Sequence, residues 1–299
     1  MRAAPRHRPG RWTHRAVAVA AVVVAVTVPP QATHDAATTT APAPHAVAAG
    51  DTAVGRLLTG LPPDSVSLAA QNVTTARSYR HDATTTVRTA SVVKLDILEA
   101  LLLQRQDSGR LPGEDETAQA TAMIENSDND AATWLWNEVG GADGLRAANS
   151  RLGAAATQPD EAGYWGLTTT TADDQVALLR DLVTPGPLAP AAQSFALGLL
   201  RAVEADQTWG ISAIADPGTA TALKDGWLPI DDDDGLWAIG SVGIVTSHGQ
   251  QVVLAVLTQH DGSLADGIQL TESLARAVAP GITSTGGSAQ RVIPVCPIE

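Results

Sequence analysis

The period of the hydrophobic pattern changes twice along this chain, and that constrains the fold more than any single residue does. Ser65–Val73 and Ala76–His81 read as two short strands with a turn at Asn72–Thr75. Thr84–Thr89 is polar and β-branched and reads as strand or loop. From Val92 the run VVKLDILEALLLQRQ carries apolar residues at helical spacing, which places a helix over 91–108, ended by Gly109 and Pro112. Further helices are expected over Asp115–Glu125, Asp130–Val139, Ala142–Leu152, Thr171–Val183 and Pro190–Ala205, with a loop over 154–167. Strand patterns then return at Thr219–Trp227, Leu236–Ser247 and Gln251–Gln259, the last two joined by the turn Ser247-His248-Gly249-Gln250. A closing helix over Leu264–Val278 and a loose tail after Pro280 complete the reading. Strands at both ends with helices between them predict an α+β fold. An antiparallel sheet is assembled from the two chain ends, with flanking helices and an inserted all-helical subdomain. The junction of two such parts favours a ligand site.

Residues 1–15 hold five arginines and no acid, and Ala16–Val28 is apolar but for Thr27. That run is short for a membrane span, which takes about 20 residues. A basic segment before a short apolar one reads as a secretory signal over 1–32, or as a signal anchor if it stays uncleaved. No lipobox cysteine follows the apolar run, so no lipoprotein anchor is expected. Residues 33–50, rich in Ala, Thr, Pro and His, read as a low-complexity linker with His34 and His45 solvated. One folded domain is then expected over 51–280, its sheet part at about 51–90 and 206–280 and its helical part at about 91–205, followed by a flexible tail over 281–299.

The formal net charge of −13 argues against nucleic-acid binding, which needs a basic surface. The single cysteine, Cys296, rules out an internal disulfide and lies too near the end to be held beside a base. His81, His248 and His260 are scattered, with no C-x-x-C or H-E-x-x-H spacing, so no metal centre and no cofactor is expected. The partner expected is a small-molecule substrate of a monomeric protein, with a membrane involved only if the signal is retained.

Lysine usage is more pointed. The chain has 17 arginines and two lysines, Lys94 and Lys224. Arginine serves for solvated charge, whereas a lysine can give up its proton or act as a compact point charge. Both lysines fall in short motifs. Ser91-Val92-Val93-Lys94 opens the helix over 91–108, and positions i and i+3 share a face, so Lys94 can reach the Ser91 hydroxyl. As a pattern, S-x-x-K is common; a base drawn from only two lysines sharpens it. Ser127-Asp128-Asn129 lies between two helices, where the hydroxyl can relay a proton and the amide can hold Lys94 and a substrate carbonyl; all three residue types are also ordinary helix caps. Lys224-Asp225-Gly226-Trp227 lies on an expected strand. Here the lysine offers a cation, the glycine lets a substrate approach the backbone, and the Trp227 N–H with that of Ser91 can form an oxyanion hole; a strand ending in a turn is the plainer reading.

Together the three motifs resemble the S-x-x-K, S-D-N and K-T-G set of the penicillin-recognising serine enzymes. The segment IENSDNDAATWLWNEVGG and the run Gly166–Thr171 ahead of a helix are similar to class A β-lactamases, and the resemblance covers about residues 55–280. It implies the serine β-lactamase and DD-peptidase fold. It also implies that Ser91 attacks a carbonyl to form an acyl-enzyme, with Lys94 as base, Ser127 as proton shuttle, Asn129 as substrate ligand and Lys224 as electrostatic stabiliser. Trp165 and Trp227 are the tryptophans expected near the site, with Gly226 and Asp225 lining it.

Departures from the family pattern shape the expected activity. The loop before Thr168 is short and lacks the surrounding motif of the family's water-activating glutamate; its acids are Asp160 and Glu161, and Glu161 is the candidate substitute. Asp225 replaces the threonine of K-T-G, which in the family binds the β-lactam carboxylate. Pointing into the site it would repel that anion; it can also point away. The strand over 236–247 holds no arginine, and Asp231–Asp234 form an acidic run beside the site, read as a solvated loop. The expected function is an exported serine hydrolase acylated at Ser91 by a β-lactam or a cell-wall-like peptide or ester, with slow deacylation. The alternatives are a D-alanyl-D-alanine peptidase or esterase, and a non-catalytic binding or sensing module on the same fold.

Overall fold

The computed structural model describes residues 48–284. The expected signal over 1–32, all but the last three residues of the linker and most of the tail lie outside the described residues, as do His34, His45 and Cys296.

The main sheet is α+β in the sense expected. β1 (Val66–Asn72) and β2 (Ser78–His81) come from the N-terminal part, and β5 (Ala222–Ile230), β6 (Leu236–Ser247) and β7 (Gln250–Asp261) from the C-terminal part. They pair antiparallel in the order β2-β1-β7-β6-β5. The sheet therefore closes from both chain ends, with Val66–Asn72 running against Val252–Thr258. A second, two-stranded ribbon pairs β3 (Val87–Arg88) with β4 (Thr169–Thr170).

Helices cover both faces. α1 (Ala48–Leu57) and α8 (Leu264–Thr283) pack together on one side, while α6 (Ala172–Asp181) lies across β1 and β7. Central strands covered on both faces lose polar alternation, and β7 accordingly buries Val252–Leu257 without a break. The helical part comprises α2 (Val93–Asp107), α3 (Glu114–Glu125), α4 (Asn129–Glu138), α5 (Gly141–Leu152) and α7 (Pro190–Leu200). α2 is buried on nearly every side, the signature of a helix at the centre of a core.

Four differences from the sequence reading have physical causes. α1 opens at Ala48, inside the expected linker, and seats Val54 at 0% exposure under α8. α8 continues three residues past Pro280, burying Ile282. Asn72 Nδ2 donates to the Ile282 carbonyl (3.0 Å) and Gln250 Nε2 to that of Thr283 (2.7 Å), satisfying carbonyls that a helix end leaves open. α6, counted with the helical part, packs on the sheet instead. Of the short ribbon β3–β4, the reading of Thr84–Thr89 as strand or loop covered β3, while β4 went unread, since a two-residue strand carries no period; the ribbon fixes Thr89, whose N–H donates to Thr168 O at 2.8 Å, just before Ser91.

Candidate active site

Three segments converge at the start of α2. Ser91 lies in the 3-10 turn Ala90–Val92 that leads into the helix, after Ala90 with its positive φ of 45°. One turn on, Lys94 is 0% exposed, and its Nζ lies 3.0 Å from Ser91 Oγ. The loop between α3 and α4 supplies the next contacts. Asp128 caps α4 by accepting from Ala131 N at 2.7 Å, so the cap reading of this motif falls on Asp128 and leaves Ser127 and Asn129 to face Lys94. Ser127 takes a φ of +55°, which a non-glycine residue adopts only under constraint. That backbone turns both its carbonyl and its hydroxyl onto Lys94 Nζ, at 2.7 and 3.0 Å, while Asn129 Oδ1 accepts at 2.8 Å. From β5, Lys224 Nζ donates to Ser127 Oγ at 3.1 Å and to Asp225 O at 3.0 Å.

The donor count at Lys94 decides what this cluster can do. A neutral amine has two N–H bonds and one lone pair. The Ser127 carbonyl and Asn129 Oδ1 can only accept, so they take both N–H bonds. The lone pair is left facing hydroxyls, that of Ser91 among them. Burial, then the charge of Lys224, lower the pKa of Lys94 from 10.5 to about 7, with Asp128 opposing the shift. Burial lowers Lys224 to about 8, opposed by Asp225. Near neutrality the arrangement can therefore hold Lys94 as a free base and Lys224 as a cation. The Ser127 hydroxyl, bridging the two lysines, is placed to pass a proton.

Gly226 lies in close contact with Ser91, and the sequence reading of this glycine needs correcting. A Cβ there would meet Val92 N at 2.6 Å, Ser91 N at 2.8 Å and Thr89 O at 2.9 Å. What approaches Gly226 is the chain's own turn into α2, so a substrate does not need that space for the glycine to be required. Trp227 follows, half-buried, with its ring 6.0 Å from that of Trp209. Trp165 sits where expected: Lys94 Nζ is 5.0 Å from its ring centre, and its Nε1 donates to Thr133 Oγ1 at 3.1 Å.

Two candidates are not brought to the cluster. Glu161 is exposed and pairs with Arg146. A loop acid with a nearby arginine is held in solvent. Asp225 is fully buried, and its Oδ2 accepts from Trp209 N at 3.2 Å, across the strand from Ser241. Side chains alternate along a strand, so with Lys224 facing Ser127, Asp225 faces the layer under α8. Burial raises its carboxyl well above the usual range, with Ser241 and Lys224 partly offsetting this. The run at 231–234 is also less free than a solvated loop: Asp232 pairs with Arg88 at 2.6 Å and Asp233 with His260 at 2.7 Å. Sequence reasoning missed Trp209 N, Ser241 and Thr133. Only the β5–β6 register, Asp225 opposite Ser241, could have pointed to Ser241. Among the described residues, no group of three His, Cys, Asp or Glu is placed to hold a metal.

Known proteins share this architecture. The model of the beta-lactamase enzyme family matches residues 116–281. Among solved structures, a PBP-A mutant in an acyl-enzyme complex with penicillin G superposes with a TM-score of 0.68 at 20% identity, covering 79% of this chain and 97% of that one. A class A beta-lactamase from Mycobacterium abscessus gives 0.65 at 21%, covering 77% and 97%. By sequence, the protein LppW of Mycobacterium tuberculosis, named as a lipoprotein, is 28% identical over 112 residues, 38% of this chain and 36% of that protein. The same protein in Mycobacterium bovis matches equally, so the chain spans about a third of the length of these curated relatives. Since the family match takes in more than half of the 299 residues, this protein belongs to the beta-lactamase enzyme family.

Proposed function

We propose that the protein is an exported serine hydrolase that forms an acyl-enzyme at Ser91, with β-lactams as one donor class and cell-wall-like peptides or esters as others. One observation carries this reading: Lys94 Nζ is 3.0 Å from Ser91 Oγ, while two obligate acceptors occupy the amine's N–H bonds. In the proposed step the Ser91 oxygen attacks the carbonyl carbon and its proton passes to Lys94. Breakdown of the tetrahedral species then sends a proton through Ser127 to the leaving nitrogen or oxygen. Lys224 stabilises the developing charge, and the N–H groups of Ser91 and Trp227 serve as the oxyanion hole. Asn129 orients Lys94 and holds a substrate carbonyl.

Deacylation is proposed to be slow. A hydrolytic water needs an activating base, and neither carboxylate named for the site, Glu161 or Asp225, is turned toward Ser91. The loop acid Glu161 is engaged by Arg146 on the surface, which supports a stalled acyl-enzyme. For location, the segment over 1–32 is proposed as the export signal, and LppW's name as a lipoprotein supports an envelope or extracellular site. No helix of the described residues is long and apolar enough to cross a membrane. The test is intact-protein mass spectrometry with benzylpenicillin or an activated ester. A long-lived adduct on the wild type and none on Ser91→Ala is expected; an adduct that survives Ser91→Ala refutes the assignment.

A further inference from the structure

Resting on the acyl-serine reading above, we infer that the site selects acyl donors carrying no carboxylate beside the scissile bond, in other words neutral or cationic esters and amides. Holding a carboxylate takes a cation or a hydroxyl with hydrogen bonds to spare. The cations around this cluster are already committed. Lys94, held as a free base, brings no charge, and its two N–H bonds go to Ser127 O and Asn129 Oδ1 at 2.7 and 2.8 Å. Lys224 is 0% exposed and has two of its three N–H bonds on Ser127 Oγ and Asp225 O. The guanidinium of Arg88, three residues before Ser91, is held by Asp232, and that of Arg146 by Asp143 and Glu161.

The strand that faces Ser91 offers no replacement. Directly after Lys224 comes the buried carboxyl of Asp225, turned toward Trp209 N, and then Gly226 and the Trp227 ring. No hydroxyl side chain occupies these positions. Asp128 and Asp130 flank Asn129 in sequence; both are exposed and form no ion pair among the described residues. Asp128 lies close enough to act on Lys94 electrostatically. A carboxylate brought beside Ser91 therefore meets the negative field of Asp128 and, from the two lysines, at most the one N–H that Lys224 has left. The Trp165 ring, 5.0 Å from Lys94 Nζ, gives the cluster an aromatic face suited to an uncharged or cationic group.

The experiment compares benzylpenicillin with its methyl ester, which share the reacting ring and differ only in that carboxylate. The readout is the rate of Ser91 adduct formation by intact mass, at low and high salt, with a fluorophosphonate as a charge-neutral control. With either penicillin the lactam C–N bond breaks, a Ser91 ester forms, and the serine proton ends on the ring nitrogen, so the adduct gains the whole reagent mass; the fluorophosphonate instead forms a Ser91 O–P bond with loss of HF. The methyl ester is expected to react at least tenfold faster at low salt. The gap narrows at high salt as the exposed acids are screened, and also in Asp128→Asn, which keeps a helix cap but loses the charge. A free acid that reacts as fast as the ester, or faster, overturns the inference and leaves Ser91 as the nucleophile. Fluorophosphonate labelling with neither penicillin reacting also overturns it. No labelling by any of the three reagents sinks the acyl-serine reading itself.

Discussion

Lys94 has a buried amine, a nearby second lysine and acceptors that fix its orientation, so its protonation state governs the site. Acylation needs Lys94 neutral, hence pH above about 7, and Lys224 charged, hence pH below about 8. The rate of adduct formation is therefore expected to follow a narrow bell with its maximum between those values, measured as the pH dependence of the pseudo-first-order rate; a rate that only falls from pH 6 to 8 contradicts the base assignment. Lys94→Gln removes the lone pair and should cost roughly 10²–10⁴-fold in that rate. Gly226→Ala forces a methyl against Ser91 N and Val92 N, so adduct formation should collapse alongside a stability loss of about 1–3 kcal/mol by thermal melting. Glu161→Gln breaks only a surface pair with Arg146 and should leave the adduct lifetime unchanged; a longer lifetime would return Glu161 to the site. Ser91, Lys94, Ser127, Asn129 and Lys224 were legible in the sequence because their spacing places them at a helix start, an inter-helix loop and a strand. The orientation of Asp225 was not, since it depends on which face of β5 the register turns inward.

α2 follows directly on the turn that holds Ser91 and has an unusual polar interior. Asp96 is fully buried, accepting from Asn149 Nδ2 and Gln175 Nε2, both at 3.1 Å, and burial raises it to about 7. Glu99, one turn on, is fully buried, and neither carboxyl oxygen has a hydrogen-bond partner; burial, then Asp96 and Asp181, push it well above its usual 4.5. An acid whose folded pKa is raised binds its proton more tightly in the folded state. Its stabilising effect is complete below the unfolded value and is lost as pH rises toward the folded one. Stability should therefore fall as pH climbs from about 4 to 7. Glu99→Gln, a neutral isostere, should melt higher than the wild type at pH 8, by about 2–4 °C for each kcal/mol recovered, and the difference should close toward pH 4.5. A constant difference at all pH values would show that ionisation is not its cause. The apolar spacing of α2 was readable, yet its buried acids were not, because the helical period does not show that a helix is covered on every side. α1 was missed for a related reason: its helicity comes from packing Val54 against α8 and not from its own pattern.

At the scale of the molecule, a sheet closed from both chain ends holds β5 against the start of α2 and leaves the α3–α4 loop to complete the cluster. The return of strand periods after residue 219 made that closure legible. The end of α8 was hidden because side chains from β1 and β7 cap it, and such partners are distant in sequence. The fold also ties the two lysines to one hydroxyl, Ser127, although they lie 130 residues apart in the chain. The central claim is that this geometry makes Ser91 a live nucleophile. The most direct measurement is intact-mass analysis of the folded protein after exposure to benzylpenicillin methyl ester, with peptide mapping, for wild type, Ser91→Ala and Lys94→Gln. The account predicts one stoichiometric adduct on the wild type, mapped to Ser91 and persisting after the reagent is removed, none on Ser91→Ala, and a strongly slowed one on Lys94→Gln. An unmodified wild type that also resists fluorophosphonate, or an adduct mapped to another residue, would contradict it.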